Sequence, residues 1–307
     1  MNNLILTAKN DERVEFYDAA THQRLAALDM PAPVHELALA HGKAYGTVYG
    51  GGIFGKNKDP DHRVVVVDLA SREVDGFIDV GAYLAPHGIM FSADGLLWVT
   101  AELNNAIVGI DVARRKVVAP IATGGAAHWL TLATDGRRAY VSHKQTPSLA
   151  IVDLLKRRVT GQVDIPNRCE GLALSKDGER LYVASHAARE LNVIDTKSEK
   201  LIRRVRIEGG GEDRTQLRRV RVSPDERWLL FSSHVDCDVA VFRLPDLEQT
   251  ALLQVGKAPM GFGFPPAADK ALVCNHDDGI VSVLDLAAGK VRTSFVSGKG
   301  CEFVEYY

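Results

Sequence analysis

Seven positions along the chain carry the residues best suited to chemistry. Each opens the same short phrase, in which the leading residue is followed by any residue, an apolar residue, any residue and a second apolar residue. The leading residues are His35, His87, His128, Glu170, Arg218, Met260 and Glu302. Five of them carry imidazole or carboxylate groups, which bind metal ions and transfer protons. The phrase therefore marks candidate site residues.

The spacing of the phrase indicates how these residues are brought together. Consecutive leading residues are separated by 52, 41, 42, 48, 42 and 42 positions, a period typical of β-propeller blades. If each copy is one blade, the leading side chains converge on the axis of a ring. Residues that are far apart in number then form one candidate site at the mouth of the central channel.

Three histidines and a carboxylate come from four consecutive copies and suit a metal ion. We predict that His35, His87, His128 and Glu170 bind a divalent metal, which could be Zn, Fe, Mn, Ni or Cu. Glu302, in the neighbouring copy, would complete the ligand set or act as a general base. Arg218 would hold a carboxylate or phosphate of the substrate, and Met260 would supply an adaptable apolar contact.

A second set of polar residues lies three positions past the last aliphatic residue of each predicted second strand. Its members are Glu102, Lys144, His186, His234 and His276, with His143 one place earlier and Lys9 near the equivalent position of the last copy. Seven of the ten histidines thus belong to these two sets. Random placement of histidines along the chain would not usually produce such a concentration. We predict that His186 and His234 move protons with Glu302. Glu102, His143, Lys144 and His276 would contact the substrate.

The repeat also predicts the elements that position these residues. The copy from Glu170 to Asp195 reads as an alternating strand, a Lys-Asp-Gly turn, a second strand, a polar loop and a third strand. A fourth strand follows at 200–207. Six complete copies begin at the first six leading residues, and the seventh is split between 301–307 and 1–30. The prediction is one all-β domain over residues 1–307.

The phrases GIMFSADGLLWVTAELNNAIVGID and GLALSKDGERLYVASHAARELNVID resemble the YVTN-type β-propeller repeat. The resemblance implies a seven-bladed propeller with four antiparallel strands per blade, closed by pairing of the N- and C-terminal strands. Families that share the repeat include lactonases, streptogramin-type lyases, redox-enzyme subunits, haem d1 proteins and binding scaffolds. The resemblance therefore implies a fold and leaves the activity open.

Composition narrows the classes of partner. Of the 307 residues 46% are hydrophobic, and the formal net charge of -2 provides no basic field for nucleic acid or an anionic membrane. The N-terminal segment lacks the pattern of a signal peptide, and no apolar run is long enough to span a membrane. The four cysteines show no CxxC spacing, which favours free thiols. We expect a cytoplasmic protein that acts on a small molecule.

Two functions remain open at this point. The first is a metal-dependent lyase or hydrolase that acts on a small polar or anionic molecule at the channel mouth. The alternative is a non-catalytic binding propeller, either a protein-interaction scaffold or a carrier for a metal or tetrapyrrole. The histidines also have structural explanations, since Pro86-His87-Gly88 is a common strand-start phrase and Ser-His phrases form turns. Two insertions, 49–63 and 208–217, are predicted to form mobile loops beside the site.

Overall fold

The computed structural model describes residues 1–53, 56–185, 188–210 and 216–307. In these ranges, 28 strands form seven four-stranded sheets with antiparallel pairing, and two one-turn 3-10 helices occur at Lys9–Asp11 and Glu102–Asn104. The fold is a seven-bladed β-propeller, which confirms the predicted fold class. Neither helix in the described ranges has the length or apolarity to cross a membrane.

The strands follow the predicted order along the chain. The chain begins with β1 (Asn3–Ala8), β2 (Arg13–Asp18) and β3 (Arg24–Asp29). Blade 1 contains β4 (Val34–Ala40), β5 (Lys43–Gly51), β6 (Asp59–Asp68) and β7 (Glu73–Asp79). Blade 2 contains β8 (Pro86–Phe91), β9 (Leu97–Ala101), β10 (Ala106–Asp111) and β11 (Lys116–Ala122). Blade 3 contains β12 (Ala127–Leu132), β13 (Arg138–His143), β14 (Ser148–Asp153) and β15 (Arg158–Asp164).

The remaining blades repeat this arrangement. Blade 4 contains β16 (Cys169–Leu174), β17 (Arg180–Ser185), β18 (Glu190–Asp195) and β19 (Lys200–Arg206). Blade 5 contains β20 (Leu217–Val222), β21 (Trp228–Ser233), β22 (Asp238–Arg243) and β23 (Glu248–Gln254). Blade 6 contains β24 (Pro259–Gly263), β25 (Lys270–Asn275), β26 (Ile280–Asp285) and β27 (Lys290–Val296). The last strand, β28 (Cys301–Tyr306), pairs with β1, so blade 7 has the order β28-β1-β2-β3 that the split repeat predicts.

The chain divides into two compact units. Unit 1 comprises Met1–Ala27 and Cys169–Tyr307, and unit 2 comprises Leu28–Arg168. Blades 1 to 3 belong to unit 2, and blades 4 to 6 belong to unit 1 together with β28, β1 and β2. Each unit is described separately below.

Turn chemistry explains why the strands begin and end where they do. In blade 2, the Gly95 N–H donates to the Ser92 carbonyl at 2.9 Å, and Gly95 has a φ of 84° that glycine adopts without strain. In blade 5, Glu226 occupies the same place with a φ of 55°. The turn therefore survives where the Asp-Gly pair is lost, at the cost of a non-glycine residue in the left-handed region.

Apolar side chains of neighbouring blades pack together inside each unit. In unit 2, Trp98 is 1% exposed and packs in one cluster with Leu130 and Val141 of blade 3. In unit 1, Leu6 of β1 and Val304 of β28 lie in one cluster with residues of blade 6. Removal of this apolar surface from water is the main stabilising contribution to such packing.

A β-bulge lies at the leading residue of each first strand. In unit 2 the pairing register shifts between Val34 and Leu37, between Pro86 and Ile89, and between Ala127 and Leu130. The same shift occurs in the first strands of blades 4 to 7 in unit 1. Bulges re-aim side chains next to functional sites, and here they set the direction of the leading residues.

Hydroxyl groups of the second strands satisfy the backbone at these bulges. The Gly88 N–H donates to Thr100 Oγ1 at 2.8 Å, and Thr100 Oγ1 donates to the His128 carbonyl at 2.9 Å. Thr47 Oγ1 donates to the His87 carbonyl in the same way at 2.8 Å. A Cβ at Gly88 would lie 3.0 Å from the His128 carbonyl oxygen, so this close approach favours glycine.

The first insertion is more regular than predicted. β5 and β6 extend into it and pair as far as Gly51 and Asp59. Within the short connection between them, Phe54 and Gly55 lie outside the described residues. In the second insertion, residues 211–215 also lie outside them. The first insertion is therefore largely an extended hairpin.

Candidate functional site

One backbone hydrogen bond places the second set of polar residues. In six blades, the first residue of the first strand pairs with a residue of the second strand, and the residue after that partner donates its N–H to the carbonyl just before the first strand. The donor and acceptor pairs are Tyr49 and Pro33, Glu102 and Ala85, Lys144 and Ala126, His234 and Gln216, His276 and Ala258, and Lys9 and Gly300, at 2.9 to 3.3 Å. This bond brings each such residue close to the leading residue of its blade. His186, the member from blade 4, lies outside the described residues.

Glu102 is the centre of the cluster in unit 2. The Tyr49 hydroxyl donates to Glu102 Oε2 at 2.6 Å, and His128 Nδ1 contacts Glu102 Oε1. Lys144 Nζ lies 3.2 Å from His128 Nε2. Because an ammonium group can only donate, Nε2 is the acceptor, and Nδ1 carries the proton that is donated to Glu102.

The three predicted histidines of unit 2 lie side by side. The ring centroids of His87 and His128 are 4.1 Å apart, and those of His35 and His87 are 5.0 Å apart. The Tyr49 ring lies 4.4 Å from that of His35. All three histidines are at most 5% exposed. The bulged first strands of three consecutive blades therefore collect imidazoles in one buried place.

Three of these residues form a donor set that fits a metal ion. His87, Glu102 and His128 are buried, and each offers one ligand atom that lies within 4.8 Å of the other two. Two imidazole nitrogens and one carboxylate oxygen are typical of sites for Zn and related divalent metals, with a further coordination position left for water or substrate. The carboxylate of this donor set is Glu102, which the sequence analysis had assigned to substrate binding.

His143, also assigned to substrate binding, makes a hydrogen bond within its own blade. Its side chain is buried, and its Nδ1 lies 3.0 Å from Ser148 Oγ. Burial lowers the pKa of this imidazole because the charged form loses hydration. At neutral pH His143 is therefore uncharged and connects the end of β13 to β14.

Glu170 belongs to unit 1 and binds a guanidinium group. Arg218 Nη1 donates to both carboxylate oxygens of Glu170 at 3.0 Å, and Arg218 Nη2 donates to Gln216 Oε1 at 2.7 Å. Arg219 Nη1 lies 3.8 Å from the same carboxylate. A buried carboxylate is stabilised by such charged donors, which explains why Glu170 is only 2% exposed.

A second cluster in unit 1 surrounds Glu302. Glu302 Oε1 lies 3.5 Å from both Lys9 Nζ and His276 Nε2, and the Glu302 residue is 4% exposed. His276 Nδ1 lies 2.7 Å from Asp277 Oδ1. The structure therefore places Glu302 with two predicted site residues, Lys9 and His276. Met260, the apolar leading residue of blade 6, is buried.

His234 lies near His276, with 6.4 Å between the ring centroids. Burial and, to a smaller extent, the positive charges of Arg218 and His276 together lower the pKa of His234 to about 4. His234 is therefore an uncharged imidazole at neutral pH. An uncharged imidazole can accept a proton or donate a hydrogen bond.

Tyr49 is the site residue that the sequence analysis missed. It lies inside β5 of blade 1, at the pairing position that Glu102 and Lys144 take just after the second strands of the next two blades. The aliphatic residue from which the others are counted is replaced there by Gly46, because a Cβ at that position would lie within 2.9 Å of Val34, Leu37 and Val65 side chains. Counting from the leading residues would have found it, since Tyr49 follows His35 by 14 residues, where Glu102 follows His87 by 15 and Lys144 follows His128 by 16.

The fold and these clusters define the class: the chain is a β-propeller protein with buried titratable groups at the starts of its blades. More narrowly, a model of the YNCE-like beta-propeller family matches residues 47–213, and the chain belongs to that family. No curated protein matches the chain.

Solved structures with similar folds belong to proteins with quite different names. A periplasmic gluconolactonase of Pseudomonas aeruginosa has a TM-score of 0.80 and 16% identity, with 98% of each chain covered. Hydrazine synthase of Kuenenia stuttgartiensis has a TM-score of 0.73 and 17% identity, covering 92% of this chain and 91% of that one. The dihydro-heme d1 dehydrogenase NirN has a TM-score of 0.72 and 13% identity, covering 99% of this chain and 74% of that one. At these identities the similarity shows the fold alone.

Proposed function

We propose that the cluster in unit 2 is a divalent-metal site at which a small anionic molecule is hydrolysed. The observation that carries this proposal is the buried donor set of His87, Glu102 and His128, whose ligand atoms lie within 4.8 Å of one another. Similarity to a gluconolactonase makes lactones the first substrate class to examine. A lyase reaction at the same site is the second possibility that the donor set supports.

The metal, when bound, would act as a Lewis acid toward a carbonyl or phosphoryl oxygen. The chain contributes the arrangement around it. Tyr49 fixes one oxygen of Glu102 through its 2.6 Å hydrogen bond, so the other oxygen stays directed at His128. Metal ions compete with protons for imidazole and carboxylate ligands in general, so metal affinity should rise with pH.

Lys144 is the group best placed to meet an anionic substrate. Its ammonium lies 3.2 Å from His128 Nε2, and the residue is partly exposed, unlike the histidines. A fixed positive charge there attracts an anion and stabilises negative charge that develops during hydrolysis. Glu302 and His234, to which the sequence analysis assigned proton transfer, belong to unit 1, and their contacts are described above.

Metal binding is tested by removing metal with a chelator and dialysing the protein against Zn²⁺, Mn²⁺, Co²⁺ or Ni²⁺. We expect about one bound ion per chain by elemental analysis, and its loss in a His87→Ala, His128→Ala double variant. His41→Asn, which changes an exposed histidine of unit 2, is the matched control and should retain the metal. Metal-free wild-type protein, or a double variant that still binds, would contradict the proposal.

Catalysis is tested on the metal-loaded protein with glucono-1,5-lactone and other lactones in a pH-stat. We expect hydrolysis that requires metal and falls at least 100-fold in the double variant. Lys144→Gln should bind metal normally and raise KM for an anionic lactone more than for a neutral one. Stoichiometric metal without turnover of any lactone would instead support the carrier alternative.

A further inference from the structure

Two cysteine thiols of unit 1 are in direct contact. Cys274 belongs to β25 of blade 6, and Cys301 is the first residue of β28 in blade 7. The S–H of Cys301 is directed at Cys274 Sγ, and the two sulfurs are 2.7 Å apart. Non-bonded heavy atoms normally stay about 3.5 to 4 Å apart, so these two sulfurs are close enough to be joined by a disulfide when an oxidant is supplied.

This pair is buried among mostly hydrophobic residues. Both cysteines are 0% exposed and pack in one cluster with Leu6, Leu272 and Val304. Because both thiols are shielded from solvent, a dissolved oxidant does not reach them and the pair should react slowly while β28 stays in place. Reaction should be faster during folding or when the C-terminal strand separates transiently from its neighbours.

The two thiols also adjoin the Glu302 cluster. Cys301 directly precedes Glu302, and Cys274 lies two residues before His276. The Gly300 N–H donates to the His276 carbonyl at 2.9 Å, which brings the same two segments together. A covalent bond between the sulfurs would therefore link the segment that carries Glu302 to the segment that carries His276.

We propose that Cys274 and Cys301 are a redox modification site, at which a reversible disulfide anchors the C-terminal strand to blade 6. The oxidant class is a small-molecule disulfide such as oxidised glutathione. The thiolate of one cysteine attacks it and releases one glutathione thiol, and the second cysteine then displaces the other. Two protein thiols are oxidised by two electrons, and one disulfide molecule is reduced to two thiols. This inference is independent of the metal site in unit 2.

The test uses the full chain with Cys169→Ala and Cys237→Ser, which leaves only the contacting pair. The protein is treated with oxidised glutathione, either folded or during refolding from urea, then denatured in acid and its free thiols are alkylated. Mass spectrometry should show no alkyl group and a mass 2 Da below that of the dithiol. Dithiothreitol should restore two alkylated thiols.

The matched control adds Cys274→Ala, so that Cys301 has no partner. It should be alkylated or carry one glutathione, and its urea midpoint should not respond to oxidation. In the parent variant, oxidation should raise the midpoint and slow amide exchange in β28. Two alkylated thiols after both oxidation and oxidative refolding, or a stable mixed disulfide with glutathione, would overturn the proposal.

Discussion

Glu102 and Glu170 are two buried carboxylates with different partners. Glu102 accepts hydrogen bonds from the hydroxyl of Tyr49 and the ring of His128, whereas Glu170 is bound by the guanidinium of Arg218. A carboxylate that faces imidazoles can bind a metal with them. One that is held by arginine is already neutralised, so the two should respond differently to the same substitution.

We expect Glu102→Gln to lower divalent-metal affinity at least tenfold, because the amide is a poorer ligand, and Glu170→Gln to leave that affinity unchanged. Glu170→Gln should instead lower the free energy of unfolding by about 1 to 3 kcal/mol, because the partly buried Arg218 loses its charged partner. A competitive metal titration and urea unfolding of both variants measure these effects. Loss of metal only in the Glu170 variant would contradict this expectation and support the ligand set predicted from the sequence.

His234 should make stability depend on pH. Its pKa is about 4 in the folded protein and 6.5 in a free side chain, so between these values the unfolded chain binds the additional proton. The contribution of His234 is therefore fully present above about pH 7 and is lost as pH falls toward 4. The change is on the order of 2 to 3 kcal/mol.

Urea unfolding at a series of pH values, for wild type and His234→Gln, isolates this contribution because other groups titrate alike in both. The wild type should lose more stability than the variant between pH 6.5 and 4, and the difference should be constant above pH 7. If the free energies of unfolding of the two proteins changed in parallel over the whole pH range, the pKa of His234 would not be lowered in the folded protein.

The bulged first strands depend on hydroxyl groups of their neighbours. Thr100 of β9 satisfies the Gly88 N–H in its own blade and the His128 carbonyl in the next blade. Both backbone groups lie where the register shifts, so the regular strand pairing does not satisfy them there. The hydroxyl therefore fixes the backbone of His128, a proposed metal ligand. Its removal should lower the metal affinity of the site.

Thr100→Val keeps the shape of the side chain and removes its hydroxyl. We expect a loss of about 2 to 3 kcal/mol in the free energy of unfolding, because a buried donor and a buried acceptor are left unsatisfied. Metal affinity should also fall. Thr100→Ser retains the hydroxyl and should lose about 1 kcal/mol or less. Equal unfolding midpoints in urea for the two variants would indicate that the hydrogen bonds of the Thr100 hydroxyl contribute little to stability.

The two ends of the chain meet in blade 7. β28 pairs with β1, and the backbones of Asn3 and Tyr307 exchange hydrogen bonds in both directions at 3.0 and 3.3 Å. β28 also buries Cys301 and Val304 against residues of blade 6. Unit 1 therefore depends on a contact between residues that are almost the whole chain apart in sequence. Bringing such distant residues together costs more conformational entropy than pairing neighbouring strands does.

Deletion of 301–307 should leave unit 1 without cooperative unfolding and prone to aggregation, because the edge of β1 and the apolar cluster beneath it become exposed. Moving the same seven residues in front of Met1 through an added Asn-Gly turn should restore most of the stability, since β28 then pairs with β1 as a hairpin. Circular dichroism and light scattering compare the two proteins. A deletion variant as stable as the wild type would contradict this account.

Much of the fold follows from local sequence chemistry. Period-2 alternation, Asp-Gly turns and a repeat of about 42 residues specify four strands per blade, seven blades and the split of the last one, because each depends on neighbouring residues or on counting. The same repeat identified the leading residues. The β-bulges that aim them were not predicted, since the alternation continues through them.

Only the tertiary structure decided which polar groups meet. Glu102 and His128 come from different blades, as do Arg218 and Glu170, and their contacts depend on offsets of a few ångströms between adjacent strands. Residue spacing does not encode such offsets, because they result from packing of whole blades. Gly46 shows the same limit: its close packing removed the aliphatic marker that would have revealed Tyr49. The sequence determined the blades and the residue types, and packing determined the partners.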